Sequence, residues 1–390
     1  YQAMETYSYY TGDRYYVWMG AYQMALGNKN LKWETTSQLD LGLDAEFFNG
    51  RIKATIDFYD KHTRDLLLYA NIPYTSGHSK IYKNIGKMSN SGFELSFSTI
   101  NVQKRCFSWK SDFNISFNRN RINSLNEGET RLLTPISQDW TMSNVNLYMA
   151  ETGNSAAQFI GLVWDGVYGY DDFDYEGTTY RLKKEIPANG MSRDVIQPGD
   201  VKYRDIDGDG TITDKDVVVI GRALPIHFGG FNNEFNLGNF SLSVFLQWSY
   251  GNDVMNANRM YLEGNLTNRP LLNQFKSYAN RWTPENTESN LFRAGGAGPT
   301  GFYSSRTIED GSFLRLKTVQ LSYNFPSRWC QAIRAQRINI YLSGQNLFTW
   351  TKYSGMDPEV SVRNSALTPG FDYSAYPRSR TFVFGLKAIF

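Results

Sequence analysis

Apolar and polar side chains alternate with a period of two in segment after segment of this chain. In 38–47 the apolar set is Leu39, Leu41, Leu43, Ala45 and Phe47, and the interleaved set is Gln38, Asp40, Gly42, Asp44 and Glu46. In 239–250 Phe240, Leu242, Val244, Leu246, Trp248 and Tyr250 alternate with Asn239, Ser241, Ser243, Phe245, Gln247 and Ser249. Successive strand residues point to opposite faces, so this pattern predicts strands with one apolar and one wet face. Nine such strands are expected, over about 35–48, 51–68, 88–100, 106–119, 225–237, 239–251, 312–325, 336–349 and 381–390, with a tenth over 15–26. Many exceed the about 5–6 residues usual in soluble sheets. They suit the about 9–11 residues with which a tilted strand crosses a bilayer.

The connections alternate between short and long. Asn49-Gly50 is a two-residue hairpin signal, Gly238 marks a similarly tight turn, 101–105 is short, and 326–335 is the longest of this set. The other connections cover about 70–87, 120–224, 252–311 and 350–380. Outer-membrane barrels have short periplasmic turns and longer extracellular loops. The fold expected is therefore all-β, a transmembrane antiparallel β-barrel with those four connections as extracellular loops. A soluble sandwich also alternates, but its buried face must be apolar, whereas the second face here is Ser, Asn, Gln and Asp. Trp109, Trp248, Tyr250, Tyr323, Phe348 and Trp350 gather near strand ends, as in interfacial girdles. The last strand then ends in the periplasm at Phe390, and the sequence offers no first strand for it to close against. Residues 1–390 are expected to be the C-terminal part of one barrel, with its N-terminal part elsewhere.

Composition agrees. Aromatic residues make up 15% of the chain, within an apolar fraction of 41%, yet the mean hydropathy is −0.47. No apolar run approaches the about 20 residues of a membrane-spanning helix. A net charge of +2 argues against nucleic acid as a partner. Two cysteines, Cys106 and Cys330, exclude a disulfide scaffold, and with His62, His78 and His227 they make no zinc-ligand spacing. Whether the two cysteines pair is open, two inert thiols being the simpler reading. No Gly-x-Ser-x-Gly elbow is present, and lumen carboxylates such as Asp40, Asp44, Glu46 and Glu94 are expected to bond a plug and water. No catalytic residue is assigned.

The most specific polar motif is Asp205-Ile206-Asp207-Gly208-Asp209-Gly210-Thr211-Ile212-Thr213-Asp214-Lys215-Asp216. Counted from Asp205, acids stand at positions one, three, five and twelve and glycine at six, the spacing of a Ca²⁺ loop, in which Thr211 offers its carbonyl at position seven. Asp216 replaces the usual bidentate Glu, which weakens the site. The flanks favour strand, so an isolated loop with a structural Ca²⁺ is expected; the competing reading is an Asp-Gly turn whose carboxylates cap backbone amides.

Trp140, Trp164, Tyr168, Tyr170 and Tyr175 sit in the long 120–224 connection and are candidates for ligand or lid contact. They could equally pack the loop against itself. The run Asp171, Asp172, Asp174 and Glu176 reads as a solvated acidic loop. Gly295-Gly296-Ala297-Gly298 reads as a flexible loop rather than a phosphate cradle.

Further motifs run in order through the chain: Asn30-Leu31-Lys32-Trp33-Glu34-Thr35-Thr36, Asp57-Phe58-Tyr59-Asp60-Lys61, Thr63-Arg64-Asp65-Leu66-Leu67, Asn84-Ile85-Gly86 and Asn90-Ser91-Gly92-Phe93-Glu94. Later come Ser312-Phe313-Leu314-Arg315-Leu316-Lys317, Ser343-Gly344-Gln345-Asn346-Leu347-Phe348, Asp357-Pro358-Glu359 and the terminal strand Arg380 to Phe390. From about residue 28 to 390 the sequence resembles the SusC/RagA-type TonB-dependent receptors of Bacteroidetes outer membranes. Lys29 stands where that family usually has proline. The resemblance implies a plugged barrel of about 22 strands, with the plug and TonB-binding segment on the N-terminal side. It also implies a SusD-like lipoprotein lid, energy from TonB-ExbB-ExbD, and import of an oligosaccharide or peptide. The Asp-Gly-rich loop before the strand that opens near Pro225 is shared with the family. The alternative function is a passive outer-membrane barrel or surface adhesion protein without energy coupling; an outer-membrane hydrolase is the most distant reading.

Overall fold

The computed structural model describes residues 6–11, 19–78, 80–125, 128–137, 142–264, 271–296, 298–299, 302–363 and 365–390. One nine-stranded antiparallel sheet dominates it. Its strands are β1 (Thr35–Phe47), β2 (Ile52–Asn71), β3 (Lys80–Gln103), β4 (Phe107–Ser124) and β5 (His227–Leu237). They continue as β6 (Phe240–Tyr250), β7 (Phe313–Asn324), β8 (Arg337–Thr351) and β9 (Thr381–Ile389). Each pairs with its neighbour in sequence, an up-and-down meander with β1 and β9 at its two edges. Among the described residues no helix is long and apolar enough to cross a membrane.

All nine expected strands are present, but β2 and β3 run further than the alternation indicates. They stay paired to Asn71↔Lys80, so of the loop expected over 70–87 only 72–78 remain as a connection among the described residues. The cause is a bulge: the register shifts around Leu66, beside Asp65 at φ 60°, and this breaks the period of two where the ladder continues. The strand expected over 15–26 is Met19–Ala25, paired with Thr6–Thr11; residues 15–18 of that expectation lie outside the described residues.

Register sorts the two faces. Leu41, Phe58, Phe93 and Phe117 stand in one row across β1–β4, and Leu237, Phe240, Tyr323, Ile340 and Leu386 in another across β5–β9. This face is exposed although apolar: Leu41 is 61% exposed and Phe384 72%. A soluble sheet would bury it, while a lipid-facing wall presents it outward. The opposite face is polar, with Asp57, Glu94 and Ser116 in one row. Two tyrosines lie flat over glycines there. Tyr59 covers Gly92, where a Cβ would stand 2.2 Å from its ring, and Tyr341 covers Gly385 in the same way. Each glycine makes room for a ring that only a residue without Cβ can accept.

The long connections are not open loops. Segments from 125–226, 251–312 and 352–380 pack into a loop domain with its own core of Leu147, Tyr148, Phe159, Met255, Tyr303 and Phe371. It holds a four-stranded sheet of 131–136, 145–151, 158–161 and 218–222, and a three-stranded sheet of 253–256, 308–310 and 371–372. Buried tyrosines tie the segments together: Tyr148 Oη donates to the Pro369 carbonyl at 2.6 Å, and Tyr303 Oη to that of Ile136 at 2.7 Å. The 120–224 segment hid this because its strands are short, many of only four residues.

Candidate functional site in the loop domain

A cavity in the loop domain is lined by Trp164, Tyr203, Phe292, Phe302 and Arg306 among others. The Arg306 guanidinium lies 5.1 Å from the Phe292 ring centre and 5.8 Å from that of Trp164. It donates to Glu263 Oε2 at 3.3 Å and to the Arg259 carbonyl at 3.3 Å. Arg259 in turn bonds Glu263 at 2.7 Å and Glu309 at 3.1 Å. Burial, then the Arg259 charge, lowers the Arg306 pKa to about 10, so it remains a cation at neutral pH. A cation held over aromatic walls can grip a carboxylate or a hydroxyl-rich group. Arginines and glutamates scattered over 259–309 carry no motif, so sequence reasoning missed this cluster.

The predicted aromatic contacts separate. Trp140 lies outside the described residues. Trp164 is half-buried and forms a cavity wall. Tyr168 is fully buried; its hydroxyl donates to the Pro187 carbonyl at 2.7 Å, and burial, then the Asp172 charge, pushes its pKa well above the ordinary phenol value. This corrects the expectation for Tyr168: with no exposed surface it builds the loop rather than touching a ligand or lid. Tyr170 and Tyr175 are 37% and 61% exposed. Both flank Tyr180, at 5.4 and 4.9 Å between ring centres. Tyr180 was missed, although Tyr175 and Tyr180 face each other across the hairpin that turns at Gly177-Thr178, a spacing visible in the sequence. Asp172 of the acidic run is not a solvated charge: it pairs with Lys202 at 3.2 Å and accepts the Gly169 N–H at 3.0 Å.

In the Asp-Gly-rich loop, carboxylate oxygens of Asp205, Asp207 and Asp209 lie within 4.8 Å of one another. Gly208 and Gly210 take φ of 76° and 83°, the conformation that bends the loop around them. Asp205 accepts the N–H groups of Gly208 and Gly210, both at 2.8 Å, and the Gly210 bond chiefly holds its pKa below the usual carboxylate value. Asp216 stands apart from this group. It is fully buried, and its oxygens accept from the amides of Ile206 at 2.7 Å and Thr213 at 2.7 Å. Lys215 reaches Asp207 at 3.6 Å and Asp209 at 3.8 Å. Thr211 bonds through its own N–H to Asp209 at 2.9 Å. The loop thus combines an oxygen cluster suited to a hard cation with turn-capping bonds.

A second charged knot joins the sheet to the loop domain. Arg315 on β7 bonds Asp357 at 2.5 Å, Glu359 at 3.1 Å and Thr349 Oγ1 at 3.1 Å. Cys106 is exposed and Cys330 buried, and both are free thiols. His62 pairs with Asp60 at 2.9 Å. His227 stacks on Tyr250 at 5.0 Å between ring centres, and its Nδ1 lies 3.3 Å from Trp248 Nε1.

A family model described as TonB dependent receptor-like, beta-barrel matches residues 2–347. TonB-dependent receptor P26 of Formosa agariphila is 36% identical over 368 residues, covering 93% of this chain and 35% of that protein. TonB-dependent receptor SusC of Bacteroides thetaiotaomicron is 28% identical over 382 residues, covering 97% of this chain and 34% of that protein. The chain therefore spans about a third of the length of these relatives. The solved structure of the RagAB peptide transporter superposes with a TM-score of 0.78 at 25% identity, over 99% of this chain and 38% of that one.

Proposed function

Because the chain belongs to the TonB-dependent receptor β-barrel family of the outer membrane, we propose that it forms part of a TonB-dependent importer of a large nutrient, a glycan or a peptide. It would act with a SusD-like surface lipoprotein and draw energy through TonB-ExbB-ExbD. The observation that carries this reading is the loop domain: an ordered assembly with its own core, joined to the loop end of the barrel wall by Arg315, with exposed Tyr170 and Tyr175 flanking the half-buried Tyr180. A passive pore has no need of so much built structure on that side. The likeness to a peptide transporter supports a peptide, and the likeness to SusC supports the lipoprotein partnership.

The Asp205, Asp207 and Asp209 cluster is proposed to hold a structural Ca²⁺, with the Thr211 carbonyl as a further ligand and Asp216 capping the backbone amides of the loop from outside the cluster. The ion would stiffen the loop domain and take no part in transport chemistry.

The test is uptake by cells that carry the full-length receptor and its neighbouring lipoprotein. Accumulation of labelled oligopeptides or oligosaccharides should stop when the proton-motive force is collapsed or the lipoprotein is removed. Uptake unchanged by both treatments would establish the passive barrel instead.

A further inference from the structure

The outward face of the sheet ends, at the loop end of β4, in a groove with a composition unlike the rest of that wall. Phe113, Ile115 and Phe117 share the outward row with Phe97, Leu95 and Phe93 of β3. The next two outward positions of β4 are Arg119, opposite Ser91, and Arg121, opposite Ser89. β5 begins at His227 opposite Phe117, so above that level the edge of β4 parts from the incoming segment 222–226. The groove between them is lined by Arg119, Arg121 and Arg222, with Ser155, Gln158 and Phe117. Its cavity volume is about 650 Å³.

We propose that this groove binds the phosphorylated headgroup of an outer-leaflet lipid. Three observations carry the assignment. First, among the described residues no carboxylate lines the groove, and Arg119 and Arg121 have neither an ion pair nor a side-chain hydrogen bond there. Arg222 feels Asp253, which accepts its backbone N–H at 2.8 Å. Asp60, on the same outward face two strands away, is already paired with His62 at 2.9 Å. Exposed guanidiniums without a carboxylate partner keep their forked donors free for a phosphate. Second, Gln158 Oε1 is buried at the groove and has no hydrogen-bond partner among the described residues, so a ligand hydroxyl has an acceptor waiting. Third, the height is right. Phe107 to Phe117 covers roughly 33 Å at about 3.3 Å per residue, which a strand tilt of about 40° reduces to roughly 25 Å, the apolar band of such barrels. Arg119 and Arg121 therefore stand at the headgroup level of the leaflet on the long-loop side. Phe58, Phe93 and Phe117, 44%, 39% and 38% exposed, lie beneath them where acyl chains run.

The experiment uses the full-length receptor extracted in mild detergent and native mass spectrometry with bisphosphorylated lipid A as the probe. The receptor should retain the probe, and the triple variant Arg119→Gln, Arg121→Gln, Arg222→Gln should lose about tenfold or more of that retention. Arg121→Gln alone, which gives a reading if the triple variant does not assemble, should lose about threefold. Fully dephosphorylated lipid A should not be retained, and inorganic phosphate at equal concentration should not displace the probe. A control variant at the turn end, Lys104→Gln with Arg105→Gln, should bind as the parent does. Undiminished retention by the arginine variants, retention of the dephosphorylated lipid, or equal loss in the control overturns the proposal. Displacement by inorganic phosphate overturns it too, in favour of a free-anion site.

Discussion

Arg315 Nη2 meets Asp357 Oδ1 at 2.5 Å, and the arginine side chain is only 2% exposed. Glu359, two residues further, takes the other arm at 3.1 Å, while Arg378 reaches Glu359 at 3.0 Å from the solvent side. One guanidinium on the barrel wall thereby anchors the 352–380 segment. Removing one partner of a buried pair costs about 3–5 kcal/mol because the remaining charge stays buried. Arg315→Leu is expected to loosen that segment by about this amount. Hydrogen exchange should speed at the amides of Met255 and Val362, which bond the carbonyls of Gly370 at 2.8 Å and Phe371 at 3.0 Å. Unaltered exchange at both amides would dismiss the anchoring role.

Tyr353 and Asp372 form a second buried contact in the same segment. The phenol donates to Asp372 Oδ2 at 2.6 Å, and Asp372 Oδ1 has no hydrogen-bond partner among the described residues. Burial and this bond raise the Tyr353 pKa far above the ordinary phenol range, so it stays a donor at every working pH. Tyr353→Phe strands the carboxylate and should cost about 1–3 kcal/mol. Tyr353→Phe with Asp372→Leu should recover part of that loss. The readout is protease cleavage of the 352–380 segment; equal rates in the parent and the single variant would count against the bond.

The exposed and buried tyrosines of the 168–180 segment should behave differently. Tyr170→Ser with Tyr175→Ser leaves the Tyr168 core intact and is expected to weaken lipoprotein or nutrient binding by about tenfold, the scale of an interface hot spot near 1.4 kcal/mol. Tyr168→Phe loses one buried hydrogen bond, worth about 1 kcal/mol of loop stability, and should leave binding unchanged. Calorimetric titration with the lipoprotein distinguishes them. A binding loss confined to Tyr168→Phe would reverse the assignment.

The barrel wall was legible because lipid and lumen impose opposite polarities on alternate residues, and the eye needs only a period of two. The motif around Asn84 was legible as a resemblance but not as a cause. In the structure Asn84 Oδ1 accepts the Lys32 N–H at 2.8 Å, and its Nδ2 donates to the carbonyls of Lys32 at 2.9 Å and Asp65 at 2.8 Å. One amide thus ties the backbone of Lys32, ahead of the first strand, to the Asp65 carbonyl at the bulge, and no period reveals a bulge. The loop domain was illegible for another reason. Its core gathers Tyr148, Phe159, Met255 and Phe371 from three separate connections, and short strands whose partners lie far along the chain leave no local pattern. Tyr168 shows the same limit: a tyrosine in a loop reads as a contact until its burial is known.

The Asp205 loop makes a prediction in which proton, lysine and calcium compete. The Asp205 carboxyl, held below its ordinary value of 3.8 chiefly by the Gly210 N–H, is ionised in the folded loop at a pH where the unfolded chain already binds a proton. Its stabilisation is therefore complete above 3.8 and is lost as pH falls through the lower folded value. Calcium affinity should fall over the same window, since the proton and the ion claim the same oxygens. Lys215, 3.6 Å from Asp207 and 3.8 Å from Asp209, neutralises part of the cluster in the ion's place. An exposed pair of this kind is worth about 0.2–1 kcal/mol, so Lys215→Gln should tighten calcium binding by about threefold at neutral pH. Asp205→Asn should abolish both the binding and the acid sensitivity of the loop. Isothermal titration with CaCl₂ reads both variants. No heat from the parent at millimolar calcium would reduce the loop to a capped turn, with Lys215 as the counter-charge of Asp207 and Asp209.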